Sequence, residues 1–456
     1  MIMNGRIPSE ILQVIDKDFA TKYKIIPYES NEKTCRCYGV SGREYHDVIT
    51  ILKAIHSFEF EVTLLAQEDF NKIFISNYRT SMNVRIGSVD FLNSLISEAY
   101  LSYCSDIHFE CYESRYRIRF RIDGCLIEKY CLEKTQYISL VNQVKVMASL
   151  DIAEKRLPQD GRIFYKDITS RFDVRVSVMP SIYGEKIVMR LLTRQPELLV
   201  LDNLGLTQMQ LKDYKEAVSR PHGMILVSGP TGSGKSTTLY ATLAMLNSVD
   251  SNIMTVEDPV EYTLDGINQV QVKEDIGMTF SSALRAFLRQ DPDIIMIGEI
   301  RDEETAEIAV RSSLTGHLVL STMHTNSALG CVSRLMEMGV SSYLQAETLN
   351  LLVSQRLIRL LCPACKKAYN YRKDLILYGK IGCPECYYTG YKGRKAIYEV
   401  IPVDSELAAN IRKGEVLDEI AHKNGKTTLA DAALDLLIKG QTSLEEIVPF
   451  IDLKEV

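Results

Sequence analysis

The sequence has no tryptophan, no Gly/Ser tract, no long polar run, no internal repeat, and no stretch near the ~18 consecutive apolar residues that span a bilayer. The missing low-complexity tracts exclude a disordered or fibrous chain. The missing apolar run leaves no candidate for a helical membrane span, while the missing tryptophan excludes nothing. An excess of positive charge is lacking too: 53 Lys and Arg against 59 Asp and Glu leave a formal charge of −6. The chain as a whole is therefore not drawn to nucleic acid or to an anionic bilayer. The opening residues, MIMNGRIPSE, show no charged-then-apolar signal pattern. A cytosolic chain is expected, with its eleven cysteines as reduced thiols or metal ligands.

What is present reads as globular and multidomain. Hydrophobic residues make up 46% and charged residues 25% of 456 positions, and single cores stop growing near ~250 to 300 residues. Residues 1–80 carry short amphipathic segments, SEILQVI near Ile11, VITILKAI near Ile51 and the helix-like EDFNKIFISNY, and form a small adaptor domain without recognisable chemistry. The polar stretch RTSMNVRIGS is a linker. Residues 88–195 form an α+β domain: a helix in VDFLNSLISEAYLSYC, an alternating strand from Tyr112 to Ile122, a hairpin at Asp123-Gly124, a second helix in SLVNQVKVMASL, and strands RFDVRVSVM and KIVMRLL. Its boundary falls near Gln195-Pro196.

Residues 198–456 change character. GMILVSG, NIMTVED, DIIMIGE and HLVLSTMH are short apolar runs, each followed by turn residues or a helix start, which is how buried parallel strands read. A cysteine-bearing insert spans 360–392, and DSELAANIRKG, TLADAALDLLIKG and SLEEIVPFI close the chain as helices.

The strongest motif follows the first of those strands. In GPTGSGKST, Gly229, Pro230, Thr231, Gly232, Ser233, Gly234, Lys235, Ser236 and Thr237 have the spacing of a phosphate-binding loop. Glycines let successive backbone N–H groups and the following helix N-terminus face an anion. Lys235 is positioned for the β- and γ-phosphates of ATP and Ser236 for Mg²⁺.

Phosphoryl transfer also needs a group that helps hold Mg²⁺ and one that prepares water. Glu299 ends DIIMIGE, and Glu257 and Asp258 end NIMTVED, so both bring carboxylates to the ligand-binding edge of the sheet. We assign Glu299 to the metal shell and Glu257 to water; on sequence alone the two roles are interchangeable, and helix capping is the bland alternative. His317 and His324 flank HLVLSTM seven residues apart, at opposite ends of a strand, which does not suit a zinc pair. His324 is a γ-phosphate sensor or a structural histidine.

Cys362 and Cys365, then seventeen residues, then Cys383 and Cys386 match the spacing of a closed, tetrahedral, structural Zn²⁺ site. A pair of redox motifs is the alternative. The nearby Lys366, Lys367, Lys392, Arg394 and Lys395 touch a partner or lipid headgroups, or only keep the loop soluble. Cys35, Cys37, Cys104, Cys111, Cys125, Cys131 and Cys331 lack ligand spacing and read as buried or incidental thiols.

SDIHFE, AEKRLPQDGR, DVRVSVMPSIYGEKIVMRLL, the phosphate loop, TVEDPVEY, LRQDPDIIMIGEIRD, TGHLVLSTMHTN and the paired CxxC units, in this order from about Val89 to Val400, resemble the ATPases of type II secretion and type IV pilus assembly. The resemblance implies a homohexamer with a RecA-like motor domain preceded by a PAS-like domain, its nucleotide sites completed by arginines of a neighbouring domain or subunit. Arg156, Arg162, Arg175 and Arg190 lie in the matching segments, and Arg175 and Arg190 are carried forward as catalytic candidates. The resemblance also places Glu257 in the segment of the catalytic carboxylate, Glu299 in the Walker B position and His324 in the histidine segment. Retraction ATPases of pili lack both adaptor domain and tetracysteine insert, so secretion or pilus extension is implied. The Arg-Leu-Gly repeats by which some relatives bind cyclic dinucleotide are missing from residues 1–80, which puts that regulation in doubt.

The expected function is thus a hexameric motor that hydrolyses ATP to drive pilin or pseudopilin assembly, with ATP, Mg²⁺ and Zn²⁺ as cofactors. Its expected place is cytoplasmic and peripheral to the inner membrane, on platform and adaptor proteins of the machine. Two rivals differ in class: a DNA-transport ATPase, against which the acidic balance stands, and a nucleotide-gated ring without turnover, against which Glu257 and Glu299 stand.

Overall fold

The computed structural model describes residues 7–74 apart from 8, 13, 16, 32, 57, 68, 71 and 72, and then residues 89–166, 171–192, 199–372, 375–414 and 427–451. The expected linker RTSMNVRIGS, the boundary at Gln195-Pro196 and most of EDFNKIFISNY lie outside the described residues. The chain forms two compact units: residues 1–193 with 362–366 and 380–392, and residues 194–361 with 367–379 and 393–456.

In the first unit, β1 (Ile25–Ser30), β2 (Thr34–Val40) and β3 (Glu59–Leu65) make a small sheet, antiparallel between β1 and β2 and parallel between β2 and β3. Helix His46–Ile55 makes the crossover and buries Val48 and Leu52. The α+β part is a six-stranded sheet built from β4 (Cys104–Cys111), β5 (Tyr116–Ile122), β6 (Cys125–Leu132), β7 (Gln159–Lys166), β8 (Arg171–Ser181) and β9 (Gly184–Leu192), in the order β6-β5-β4-β9-β8-β7 with antiparallel neighbours. Asp123 and Gly124, at φ of 49° and 80°, make the tight β5–β6 turn expected of that dipeptide.

Alternation decides which side of this sheet is core. Ile107 and Phe109, Ile118 and Phe120, Val174 and Val176, and Ile187 and Met189 all point to one face, where helices Val89–Leu101 and Lys134–Met147 cover them. The intervening positions are charged: Asp106, His108 and Glu110 on β4 stand opposite Arg121, Arg119 and Arg117 on β5.

The second unit is organised by a seven-stranded sheet: β10 (Gly223–Ser228), β11 (Ile253–Glu257), β12 (Asn268–Gln271), β13 (Ile294–Ile297), β14 (Leu318–Met323), β15 (Leu349–Leu361) and β18 (Tyr391–Pro402), in the order β12-β11-β13-β14-β10-β15-β18. The four strands expected from apolar runs are β10, β11, β13 and β14, all mutually parallel where they pair. Their runs are continuous because both faces are buried. Met224 and Leu226 enter one core while Ile225 and Val227 enter the core on the opposite face. This mixed α/β architecture agrees with the expected fold class. The hairpin of β16 (Lys367–Arg372) and β17 (Leu375–Gly379) belongs to this unit, as does a small core of Leu429, Ala433, Leu436 and Leu437 from the helix Leu429–Ile438.

Candidate active site

Parallel pairing brings the ends of β11, β13, β14 and β10 to one edge in that order, so Glu257, Glu299, His324 and Gly229 follow one another along it. Gly229, Gly232 and Gly234 have φ of 148°, 79° and 91°, values closed to most side chains. At Gly229 a Cβ would lie 2.5 Å from the Gln355 carbonyl oxygen, and at Gly234 it would lie 2.7 Å from Gln355 Nε2. The loop therefore rests directly on β15. Helix Lys235–Leu246 starts immediately after Gly234. Ser233 Oγ is buried with no hydrogen-bond partner among the described residues, and Ser236 is exposed at the first turn. A glycine-lined loop holding a spare buried hydroxyl fits a phosphate group.

Lys235 Nζ donates to the carbonyls of Gly229 at 2.7 Å and Pro230 at 3.2 Å. Burial pushes its ammonium below the usual lysine range, with the Glu299 carboxylate opposing that shift. Glu299 pairs with Arg301 and lies 3.3 Å from His324 Nε2. Burial disfavours its ionisation, but the Arg301 hydrogen bond and the charges of Arg301, His324 and Lys235 together outweigh that and hold the carboxyl below the usual range. Arg301 also approaches Asp258 at 3.7 Å. Glu257 is buried. Thr255 Oγ1 donates to it at 2.6 Å, Gln269 Nε2 at 3.1 Å, and the Tyr240 hydroxyl donates to its other oxygen. His317 stays at the opposite end of β14, its Nδ1 2.9 Å from the Ser312 carbonyl.

Tyr240, Gln355 and Arg356 in this group lie outside the quoted motifs, and Arg301 lies inside LRQDPDIIMIGEIRD without being singled out there. Gln355 Oε1 accepts from Thr238 at 2.8 Å, and Arg356 donates to the carbonyls of Gln355 at 2.9 Å and Asn326 at 2.8 Å. The signal for Gln355 and Arg356 was the polar trio Ser354-Gln355-Arg356 inside an apolar run. A cavity of about 730 Å³ opens beside the loop, lined by Thr231, Ser233, Arg356, Leu357, Leu429 and Phe450 among others.

The four cysteines of the insert converge. All four Sγ atoms lie within 4.8 Å of one another, and Cys362–Cys383, Cys365–Cys386 and Cys383–Cys386 are each separated by 3.8 Å. A tetrahedron of thiolates at about 2.3 Å from Zn²⁺ has edges of about 3.8 Å, so the cage fits that ion. Backbone N–H groups of Gly382 (3.3 Å) and Gly390 (3.3 Å) donate to Cys365 and Cys386 sulfurs. Burial pushes the Cys365 thiol up to about 12, and a bound cation would draw off its proton. The other seven cysteines are buried or half-buried free thiols.

In the first unit, the structure brings three of the four candidate arginines into one row. Arg162 on β7 stands opposite Arg175 on β8, which stands opposite Arg190 on β9, which stands opposite Asp106 on β4. Asp173 pairs with Arg162, and Asp106 accepts from Arg190 at 2.8 Å. Arg156 lies apart on the loop before β7, its side chain 87% exposed and paired with Glu154, whose carboxyl it holds down at about 2.

The family described as Type II/IV secretion system protein matches residues 87–449. The chain is 44% identical over 465 residues to the type IV pilus assembly ATPase PilB of Myxococcus xanthus, covering 97% of this chain and 80% of that protein. It is 48% identical over 375 residues to the type II secretion system ATPase E of Vibrio cholerae, covering 79% and 74%. Among solved structures, the pilus retraction motor PilT with bound ADP is similar at a TM-score of 0.57 and 27% identity, covering 80% of this chain and 98% of that one.

Proposed function

The chain belongs to the type II/IV secretion system protein family, and from that premise we propose that it works as a ring-forming motor whose ATP hydrolysis drives pilin or pseudopilin assembly. ATP hydrolysis and the coupling of that hydrolysis to secretion or pilus assembly are the activity of the family. The observation that carries the reading is the shared strand edge, where the phosphate loop, Glu299, His324 and Glu257 stand side by side.

Lys235 and the loop amides hold the phosphates. Leaving its contacts to Gly229 and Pro230, the Lys235 ammonium exchanges two neutral acceptors for anionic ones, a stronger bond. Ser236 and Glu299 would hold Mg²⁺, which supplies charge neutralisation on the phosphate oxygens when bound. Glu257 orients water, and its buried contacts to Tyr240, Thr255 and Gln269 fix the direction of its carboxylate. His324 senses the γ-phosphate through Glu299. The cavity beside Arg356 and Leu429 takes the nucleoside. Arg175 and Arg190 act on a neighbour's nucleotide in a homohexamer.

Zn²⁺ in the tetracysteine cage is structural, because four protein thiolates leave no open position. Residues 1–80 serve as the adaptor domain, 88–195 as a PAS-like domain and 198–456 as the RecA-like motor. Among the described residues no helix is long and apolar enough to cross a membrane, and we assign the chain to the cytoplasmic face of the inner membrane through platform and adaptor proteins.

The test is phosphate release with Mg-ATP across protein concentration, comparing the native chain with Glu257→Gln and Lys235→Ala. Turnover that rises with concentration and vanishes in both variants is the expected result. Turnover that survives Glu257→Gln would remove Glu257 from its role.

A further inference from the structure

The cysteine insert leaves β15 and returns to β18, both strands of the second unit, yet its cysteine-bearing segments 362–366 and 380–392 pack with the first unit. Tyr387 makes part of that contact. Tyr387 rests on the core of the α+β part, and its hydroxyl donates to Ser102 Oγ at 3.3 Å, just past helix Val89–Leu101. Lys129 of β6 places its ammonium 4.9 Å from the centre of the Tyr387 ring and 5.3 Å from that of Phe120. Glu98, on the same helix, pairs with Lys129 and accepts from Tyr130 at 2.6 Å. Lys129 is only 9% exposed, so its attraction to the two rings operates with little competing water.

The backbone that presents Tyr387 is strained. Tyr387 and Tyr388 have φ of 50° and 59°, two successive non-glycine residues in the left-handed region, each a conformation of order 1 kcal/mol or more above the right-handed one. Hydrogen bonds from their N–H groups to Pro384 (3.2 Å) and Cys383 (2.9 Å) close the turn around Cys383 and Cys386.

We propose that the filled thiolate cage acts as a metal-dependent docking device: Zn²⁺ holds the Cys383–Cys386 turn in the strained form that presents Tyr387 to Lys129, Phe120 and Ser102. Loss of the ion lets the turn relax and the tyrosine leave helix Val89–Leu101 and β6. The inference rests on the zinc reading above and adds a consequence for parts of the first unit that hold no cysteine ligand.

The test is amide hydrogen exchange in the full chain as purified, after stripping with a chelator and after reloading with zinc, together with Tyr387→Ala and Tyr387→Phe. Zinc content is measured first. A chain that carries no zinc and takes none up refutes the zinc reading and this proposal with it; the remaining outcomes bear on docking alone. Stripping is expected to speed exchange roughly tenfold at the end of helix Val89–Leu101 and along β6, and reloading to restore it. Tyr387→Ala is expected to retain zinc yet show the same fast exchange there, while Tyr387→Phe, which keeps the ring over Lys129, stays near native. Faster exchange confined to residues 380–392 after stripping overturns the proposal. So does a Tyr387→Ala chain that holds zinc with helix and β6 fully protected, or one that loses its zinc.

Discussion

Nε2 of His324 lies 3.3 Å from Oε2 of Glu299, joining the residue after β14 to the end of the neighbouring β13. The imidazole is half exposed, so the pair contributes little to folding, as exposed ion pairs do. Its value lies in coupling. A group that touches both the carboxylate proposed for the metal shell and the open edge is placed to respond to charge arriving there. His324→Ala is expected to leave the thermal midpoint within about 2 °C of native and to lower kcat roughly ten- to a hundredfold. Unchanged turnover in a steady-state phosphate assay would remove the residue from the cycle.

Tyr240 offers a sharper probe of Glu257. Its buried hydroxyl donates to one carboxylate oxygen while Thr255 and Gln269 occupy the other. Tyr240→Phe removes a single oxygen and leaves the ring in place, so nucleotide affinity is expected to hold while kcat falls about tenfold. Equal losses of affinity and turnover would mean that the tyrosine supports the loop and not the carboxylate. Separate binding titrations and single-turnover measurements separate the two cases.

The Arg301 contact makes a pH prediction. Glu299 is held ionised below the ordinary glutamate value of 4.5 in the folded chain. A depressed folded-state value means stability that is fully present above 4.5 and is lost as pH falls through the lower folded value. Glu299→Gln cannot be protonated, so its stability is expected to fall less steeply than native on the acid side of 4.5, and in parallel with native above it. Urea midpoints measured across that window decide it. Parallel curves throughout would show that the folded chain does not hold Glu299 in its ionised form.

The parallel strands were legible because burial on both faces leaves a continuous apolar run, as in Ile294–Ile297, and the phosphate loop because its glycines answer to local backbone demands. β15 was not. Its Ser354-Gln355-Arg356 trio interrupts a run that suits a helix as well as a strand, and its pairing with β10 is set by residues more than a hundred positions away. The cysteine spacing announced a metal cage, since ligand geometry is local. That its Cys383–Cys386 turn packs on Ser102 and Lys129 depends on tertiary placement that no spacing encodes. Arg301 stood two residues from Glu299 in plain view, yet charge pairs of that kind are indistinguishable in sequence from solvated ones.

The arginine row is the part of the resemblance that the structure turns into a quantitative test. Like charges directly opposite on neighbouring strands oppose folding, and Arg175 stands between Arg162 and Arg190 on the same side of the sheet. Asp173 pairs with Arg162, and Asp106 pairs with Arg190. Removing the central charge relieves that repulsion, so its effect on stability is expected to be small. The Arg190 side chain is 58% exposed, and its loss is expected to be similarly mild. Turnover is expected to fall roughly a hundredfold or more in Arg175→Ala and Arg190→Ala if either guanidinium reaches a transferring phosphate. Mixing Arg190→Ala chains with Glu257→Gln chains then distinguishes the source of the arginine. In a ring whose sites are completed by the neighbour, about a quarter of the interfaces in an equal mixture join an intact arginine to an intact glutamate, and activity returns to about that fraction of native. An arginine that serves its own chain's nucleotide gives no recovery, because every chain in the mixture lacks one of the two groups.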